Sequence, residues 1–366
     1  MDRSHTEESL LRYRQLAAED STYSPSLARA LNGLANHLSE LYAATGNQDH
    51  LNRAAELAQE AVDLTPQTST NLPGYLNNLA NRLSELFAAT GNHDHLNRAA
   101  ELAQEAVDLT PQTSTNLPGY LNNLGIRLAE QGRRSDALAP TQEAAHLYRE
   151  LAHDNPTYTA NLASSLNNLG AMLAEQGRRA DALAPTQEAA HLYRELAHDN
   201  PTYTANLASS LNNLGAMLAE QGGLADALET AREAAHLLQE VAGNDPAYLS
   251  QTLMTRSNLA ESLRAVGRPT EALPLYEQNL EDAERVLGPD HPNTLASRNS
   301  LAVCLQASGR ATEALSLYEQ NLEDTERVLG PDHPNTLASR NSLAGCLETL
   351  GRSTDAARVR VGGLPA

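Results

Sequence analysis

The stretch DALAPTQEAAHLYRELAHDNPTYTANLASSLNNLGAMLAEQG occupies residues 136–177 and recurs without change at residues 181–222. Two further segments recur in the same way: 52–79 at 97–124 without change, and 271–302 at 313–344 with Pro274 replaced by Ser316 and Ala283 by Thr325. Self-similarity at a fixed period is the signature of a repeat array, in which each unit buries its apolar face against its neighbours.

Each unit contains two helical segments. In the first segment of the quoted stretch, Leu166, Leu169 and Leu173 are spaced by three and four residues, which places them on one face of an α-helix. Gly177 follows, as expected for a glycine that ends a helix. The second segment, over residues 181–198, repeats the helical spacing with alanines and a tyrosine. Eight leucines mark the register, at steps of 45 residues five times and of 42 residues twice: Leu34, Leu79, Leu124, Leu169, Leu214, Leu259, Leu301 and Leu343.

These two segments resemble the tetratricopeptide repeat. The resemblance is carried by Leu166, the pair Leu169-Gly170, Leu173, Ala182 and Ala189. The segment LGPDHPNTLASRNSLA, at residues 287–302 and 329–344, resembles the kinesin-light-chain type of this repeat, and arrays of this kind are common in actinobacterial signalling proteins. The resemblance implies an all-α fold, a right-handed α-solenoid of about eight tandem helix-turn-helix repeats with a period of 42–45 residues.

The repeat register divides the chain into three parts. Residues 1–23 are expected to form an N-terminal partial repeat with a lone second-type helix. Residues 24–352 should form the solenoid, and residues 353–366 a truncated C-terminal helix and tail.

Composition narrows the function classes. All 26 basic residues among the 366 are arginines, which excludes chemistry that requires a lysine, such as a P-loop or a Schiff base. The formal net charge of −20 argues against nucleic acid and anionic membranes as partners and favours basic or neutral ones. The apolar runs are too short to span a membrane, and the first residues lack the pattern of a signal peptide. A cytoplasmic protein is therefore expected.

A column of asparagines is the strongest candidate for a binding site. Asparagine directly precedes the register leucine in five successive units: Asn78, Asn123, Asn168, Asn213 and Asn258. Because a residue one step before a buried leucine is rotated by about 100° from it, these side chains should lie beside the packed face. A ladder of amides can hold the backbone of an extended peptide whatever its sequence. The resemblance supports this role, since several tetratricopeptide-repeat proteins hold peptide backbone with an asparagine at this place. The alternative is that each asparagine caps or bridges to the adjacent repeat.

A column of glutamates is expected on the same stripe of the first helix: Glu40, Glu85, Glu130, Glu175 and Glu220. Together with neighbouring alanines they would make an open, acidic groove for a basic or neutral segment. This differs from the carboxylate clamp of the family, which uses lysine and arginine. The alternative interpretation is a solvated stripe of charge.

Other clusters are interpreted as structural. The Glu-x-x-His sequence at residues 143–146 has di-iron spacing, but its copies should lie on parallel neighbouring helices rather than converge. His50 and the segment 93–95 are expected in loops between helices, where they could bind a metal only weakly. Cys304 and Cys346 stand one repeat apart, beyond the reach of a disulfide. No residue set predicts a catalytic site, a cofactor or a metal ion.

The sequence therefore predicts a non-catalytic scaffold that binds a peptide or protein segment in a concave groove. The alternative is a separately encoded regulatory or sensor arm of a bacterial signalling ATPase or caspase-like peptidase system. End-to-end self-association through the unpaired terminal helices is also expected.

Overall fold

A computed structural model describes residues 3–242, 248–331 and 333–362. These residues form seventeen α-helices and no strand. The helices are α1 (Arg3–Glu19), α2 (Ser24–Thr45), α3 (Gln48–Asp63), α4 (Leu72–Thr90), α5 (His93–Asp108), α6 (Leu117–Glu130), α7 (Arg134–Asp154), α8 (Thr159–Glu175), α9 (Arg179–Asp199), α10 (Thr204–Glu220), α11 (Leu224–Ala242), α12 (Leu249–Ala265), α13 (Pro269–Leu287), α14 (Pro292–Ala307), α15 (Ala311–Leu329), α16 (Pro334–Thr349) and α17 (Ser353–Arg360).

The helices form two units, Met1–Leu192 and Tyr193–Ala366, and the division falls inside α9. Even-numbered helices are called A helices here, and odd-numbered helices from α3 onward B helices. Within the first unit each helix from α2 to α7 packs on the next, and the same holds from α10 to α16 in the second unit. The predicted all-α fold of tandem helical hairpins is confirmed.

Leucines of A helices and alanines of B helices build the core of the first unit. Leu31 and Leu79 of the A helices and Ala58 and Ala103 of the B helices are almost fully buried in one cluster. Small alanines let the B-helix backbone approach the A helices closely, while the leucines fill the remaining space. This combination explains how the first unit forms its core although the chain has a single phenylalanine and no tryptophan.

Tyrosines contribute more to the core of the second unit. Tyr276 and Tyr318 are 4% and 2% exposed, and they pack in one cluster with Leu301 and Leu343. Each hydroxyl reaches a partner, since Tyr276 donates to Glu261 over 3.3 Å and Tyr318 to Gln306 over 3.2 Å, so the buried rings leave no orphaned polar group.

Glycines end the A helices as predicted. Gly46 and Gly91 adopt left-handed conformations with φ of 66° and 68°, where a side chain would strain the backbone. The loop expectation for the histidines is wrong: His50 lies in the first turn of α3, and His93 and His95 lie in the first turn of α5. Sequence reasoning missed the capping residue Asn92, whose side chain accepts a hydrogen bond from the backbone N–H of Asp94 over 3.0 Å at the start of α5.

Candidate functional site

The predicted asparagine column lies on the A helices and bridges adjacent repeats. In each bridge, Nδ2 of a column asparagine donates to Oδ1 of an asparagine one repeat earlier. The distances are 3.0 Å from Asn78 to Asn32, 2.8 Å from Asn123 to Asn77, 3.3 Å from Asn168 to Asn122 and 2.7 Å from Asn258 to Asn212. Asn213 holds the same register position and is half-buried.

This pairing explains why the asparagine column stops where it does at each end. Asn32 accepts a hydrogen bond, and the next residue, Gly33, has no amide to donate. At the other end Asn258 donates, while Ser257 takes the place of the accepting asparagine. The paired bridges thus support the alternative that the sequence left open.

The bridges leave part of each amide for another role. An asparagine amide carries two N–H groups, and each bridge uses one of them. Asn78, Asn123 and Asn168 are only half-buried. Peptide binding by the column depends on the second N–H and on Oδ1, and it stays a prediction.

Two glutamates on the same face, Glu85 and Glu130, each contact an arginine and a serine. Glu85 accepts a hydrogen bond from Ser39 of the preceding A helix over 2.9 Å and forms an ion pair with Arg82 at 3.1 Å. Glu40, one repeat earlier, lies 3.6 Å from the ring nitrogen of His37. Glu85 is therefore held in place by two partners, whereas the side chain of Glu40 is 79% exposed.

The arrangement recurs along the first unit. Glu130 accepts from Ser84 over 3.1 Å and pairs with Arg127 at 2.8 Å. Glu175 instead pairs with Arg134, at the start of α7, at 3.1 Å. In the second unit, Glu220 lies at the exposed end of α10.

Sequence reasoning missed two arginines on this face. The side chains of Arg82 and Arg127 are 12% exposed, and in each the Nε atom is buried without a hydrogen-bond partner. Burial lowers the pKa of the Arg82 guanidinium, and the carboxylates of Glu85 and Glu40 act in the opposite direction. The spacing could have shown that these arginines lie on the same helix face, since each stands four residues after a column asparagine. The face is therefore one of mixed charge, not simply acidic.

The corresponding position changes character along the array. Met172 in α8 and Met217 in α10 replace the arginines, and both are buried, at 7% and 4% exposure. Met172 packs in the first unit, where its sulfur lies 3.2 Å from the hydroxyl of Thr141. In α8 and α10 this position thus carries a buried apolar side chain instead of a charge.

Two other expectations concern metals and membranes. Among the described residues, no three histidine, cysteine, aspartate or glutamate side chains come together as metal ligands would. In that same part of the chain no helix has both the length and the apolar character needed to cross a bilayer.

Two protein-family models match the sequence, and both describe the family as Tetratricopeptide repeat. One family model matches residues 119–156, 162–201 and 207–248, and a second of the same description matches residues 251–320 and 296–359. No curated protein matches the sequence.

Three solved structures are similar to this chain. The Rap conjugation gene regulator of plasmid pLS20, in complex with the Phr* peptide, is 14% identical over 92% of this chain and 93% of its own, with a TM-score of 0.53. BtubC (BKLC) from P. vanneervenii is 18% identical over 64% of this chain and 94% of its own, with a TM-score of 0.50. A Podosopora anserina protein of kinesin-light-chain type with nearly identical TPR-like repeats is 20% identical over 59% of this chain and 98% of its own, with a TM-score of 0.48.

Proposed function

This chain belongs to the tetratricopeptide-repeat family, and on that premise we propose that it is a non-catalytic scaffold that binds a peptide segment of another protein along the A helices. The fold likeness to the Rap regulator, which holds the Phr* peptide, supports a peptide as the kind of partner. Tandem A helices give such a segment a series of equivalent contacts.

The asparagine column carries the proposal. Column asparagines stand one per repeat, half-buried, and each bridge occupies only one N–H of the amide. The remaining N–H and Oδ1 match the carbonyl and N–H of an extended backbone. The bridge between repeats also holds each amide in one orientation, which lowers the entropy cost of binding.

Charge selects the partner's side chains. Glu85 and Glu130 present carboxylates beside Arg82 and Arg127, and the whole chain carries a net charge of −20. A basic or neutral segment meets this surface with less repulsion than an acidic one.

Paired alanine variants test the groove. A peptide is first selected against the chain from a random phage-displayed library, and its affinity is then measured for Asn123→Ala and for Asn77→Ala. Both variants remove the same bridge, whose length is 2.8 Å, but only the first removes a half-exposed amide, since Asn77 is 8% exposed. Asn123→Ala should weaken binding about fivefold to tenfold more than Asn77→Ala. Equal affinities would reject the column as the binding site.

The regulatory arm of a signalling ATPase or caspase-like peptidase system stays a prediction. A neighbouring gene that encodes such an effector without repeats of its own would favour it.

A further inference from the structure

A second groove in the first unit is lined by residues of two B helices, α5 and α7, and by none of the column asparagines. It runs between α5 and α7 over α6 and has a volume of about 920 Å³. Its floor is formed by Leu121, Leu124 and Leu128 of α6, and Val107 and Ala100 of α5 extend the apolar surface. Grooves of this volume accommodate several side chains of a partner.

The groove lies where a leucine and a turn of helix are missing, since α6 ends at Glu130 whereas α4 continues to Thr90. Counting one repeat back, Gln131 corresponds to Leu86, which is 6% exposed and packs on Leu51 and Ala55. Ala100, the counterpart of Ala55, instead lines the groove. The change from one repeat type to the next therefore removes the side chain that fills this space one repeat earlier.

Gln131 leaves an unmet hydrogen-bond acceptor in the groove. Its Nε2 donates to Asn97 Oδ1 over 3.0 Å, while its Oε1 is buried without a partner. Pro140, on the facing wall, lies inside α7 and adds an apolar ring to the lining of the groove. A ligand that supplies an N–H group would satisfy Gln131 Oε1.

The walls of the groove are acidic. Three carboxylates, from Glu101, Asp136 and Glu143, line it against the single guanidinium of Arg133. Arg133 is paired with Asp136, and Arg98, which does not line the groove, is paired with Glu101, both at 2.8 Å, so the uncompensated carboxylate of the walls is that of Glu143. The rim therefore favours cationic side chains.

We propose that this groove is a second docking site, which takes an amphipathic helix of a partner protein with leucine-like side chains on one face and lysine or arginine on its flanks. The lining residues of α5 span positions 97–107, about 15 Å, which matches about three turns of helix. An apolar floor between two parallel walls is the usual setting for helix-in-groove recognition. The basic flanks of the helix pair with Glu101 and Glu143, and an N–H donor reaches Gln131 Oε1.

The test uses a synthetic amphipathic peptide with leucine on one face, lysine on the other and one tryptophan. Because the chain has no tryptophan, the emission of the peptide reports binding without interference. A peptide with glutamate in place of lysine serves as the charge control, and it should bind at least about tenfold more weakly.

Three variants locate the site. Gln131→Leu restores the residue type that fills the groove one repeat earlier, and Glu101→Arg reverses a rim charge. Each should weaken binding by about tenfold or more. Glu56→Arg is the matched control, because Glu56 and Glu101 form equivalent ion pairs with Arg53 and Arg98, at 2.6 and 2.8 Å, but only Glu101 lines the groove.

The control variant should keep its affinity within about twofold. Equal losses in Glu56→Arg and Glu101→Arg would mean attraction to the overall negative charge and would overturn the proposal. Unchanged affinity in Gln131→Leu, with the helical circular-dichroism signal intact, would also overturn it. Sedimentation that shows self-association of the chain, abolished by Gln131→Leu, would assign the groove to a second copy instead.

Discussion

Gly125 of α6 lies against Thr141 of α7 so closely that a Cβ atom added to the glycine would stand 2.1 Å from the threonine Oγ1. The same Cβ would be 3.2 Å from the carbonyl oxygen of Ala137. Thr141 is fully buried, and its hydroxyl donates to that carbonyl over 2.9 Å. The glycine of the repeat thus allows the A and B helices of one hairpin to come into contact.

Gly125→Ala should therefore destabilise the protein, by about 1–3 kcal/mol, because the new methyl group overpacks the contact with Thr141. The free energy of unfolding in urea measures the loss. Gly215→Ala is the matched substitution, since a Cβ there would find its nearest atom, the carbonyl oxygen of Ala227, at 3.4 Å. That variant should be neutral or slightly stabilised, because alanine favours helix over glycine by about 1 kcal/mol.

A double variant tests whether the contact with Thr141 causes the loss of stability. In Gly125→Ala combined with Thr141→Ala the clashing hydroxyl is gone, and most of the lost stability should return. Equal effects of Gly125→Ala and Gly215→Ala would contradict the contact as the reason for the glycine.

The repeat register and the helix-ending glycines could be predicted because they depend on residues within one turn or one repeat. The bridges could not be placed from spacing alone, since the stacking of A helices brings Asn78 beside Asn32 rather than beside Gly33. The groove of the first unit could not be predicted from the sequence either. The difference between Leu86 and Gln131 is visible in the sequence, but its effect depends on the packing of three helices.

Arg298 forms a buried ion pair, and we expect its loss to lower the stability of the protein strongly. Its side chain is 1% exposed and lies 2.7 Å from Asp324 and 3.2 Å from Glu284. Arg298→Ala should cost about 2–4 kcal/mol in the free energy of unfolding, because it empties the space of a buried side chain in α14 and leaves Asp324 with Arg327, at 2.7 Å, as its remaining ion-pair partner. Arg285→Ala, at a residue whose side chain is 65% exposed, should cost no more than about 1 kcal/mol. Similar losses in the two variants would show that burial of the Arg298 pair does not matter.

Acid should weaken the second unit through Asp282. Burial alone would raise the pKa of this carboxyl, but hydrogen bonds from Arg285 and Arg256, each 2.9 Å long, together hold it below its usual value. A lowered pKa means that the stabilisation is complete above the unfolded-state pKa of about 3.9 and is lost as the pH falls through the folded-state value. The stability difference between the parent chain and Asp282→Asn should therefore shrink between about pH 5 and pH 2.

Urea unfolding at several pH values measures this difference. Glu323→Gln, at an exposed residue of α15, serves as the control and should show little difference from the parent at any pH. A constant difference for Asp282→Asn across the range would show that the ionised carboxylate is not what stabilises this part of the chain.

The two thiols should be unreactive while the protein is folded. Cys304 and Cys346 are fully buried and unpaired, and their sulfurs contact the equivalent carbonyl oxygens of Pro269 and Ala311 at 3.5 and 3.4 Å. Burial raises the pKa of both thiols, so little of the reactive thiolate is present at neutral pH. We expect labelling by a thiol-specific disulfide reagent to be at least about a hundredfold slower in buffer than in denaturant.

Ala307→Cys, which adds a thiol at an exposed position of α14, should label at once and so confirm that the reagent reaches this part of the fold. Rapid labelling of the parent chain would mean instead that α14 and α16 open locally at low cost.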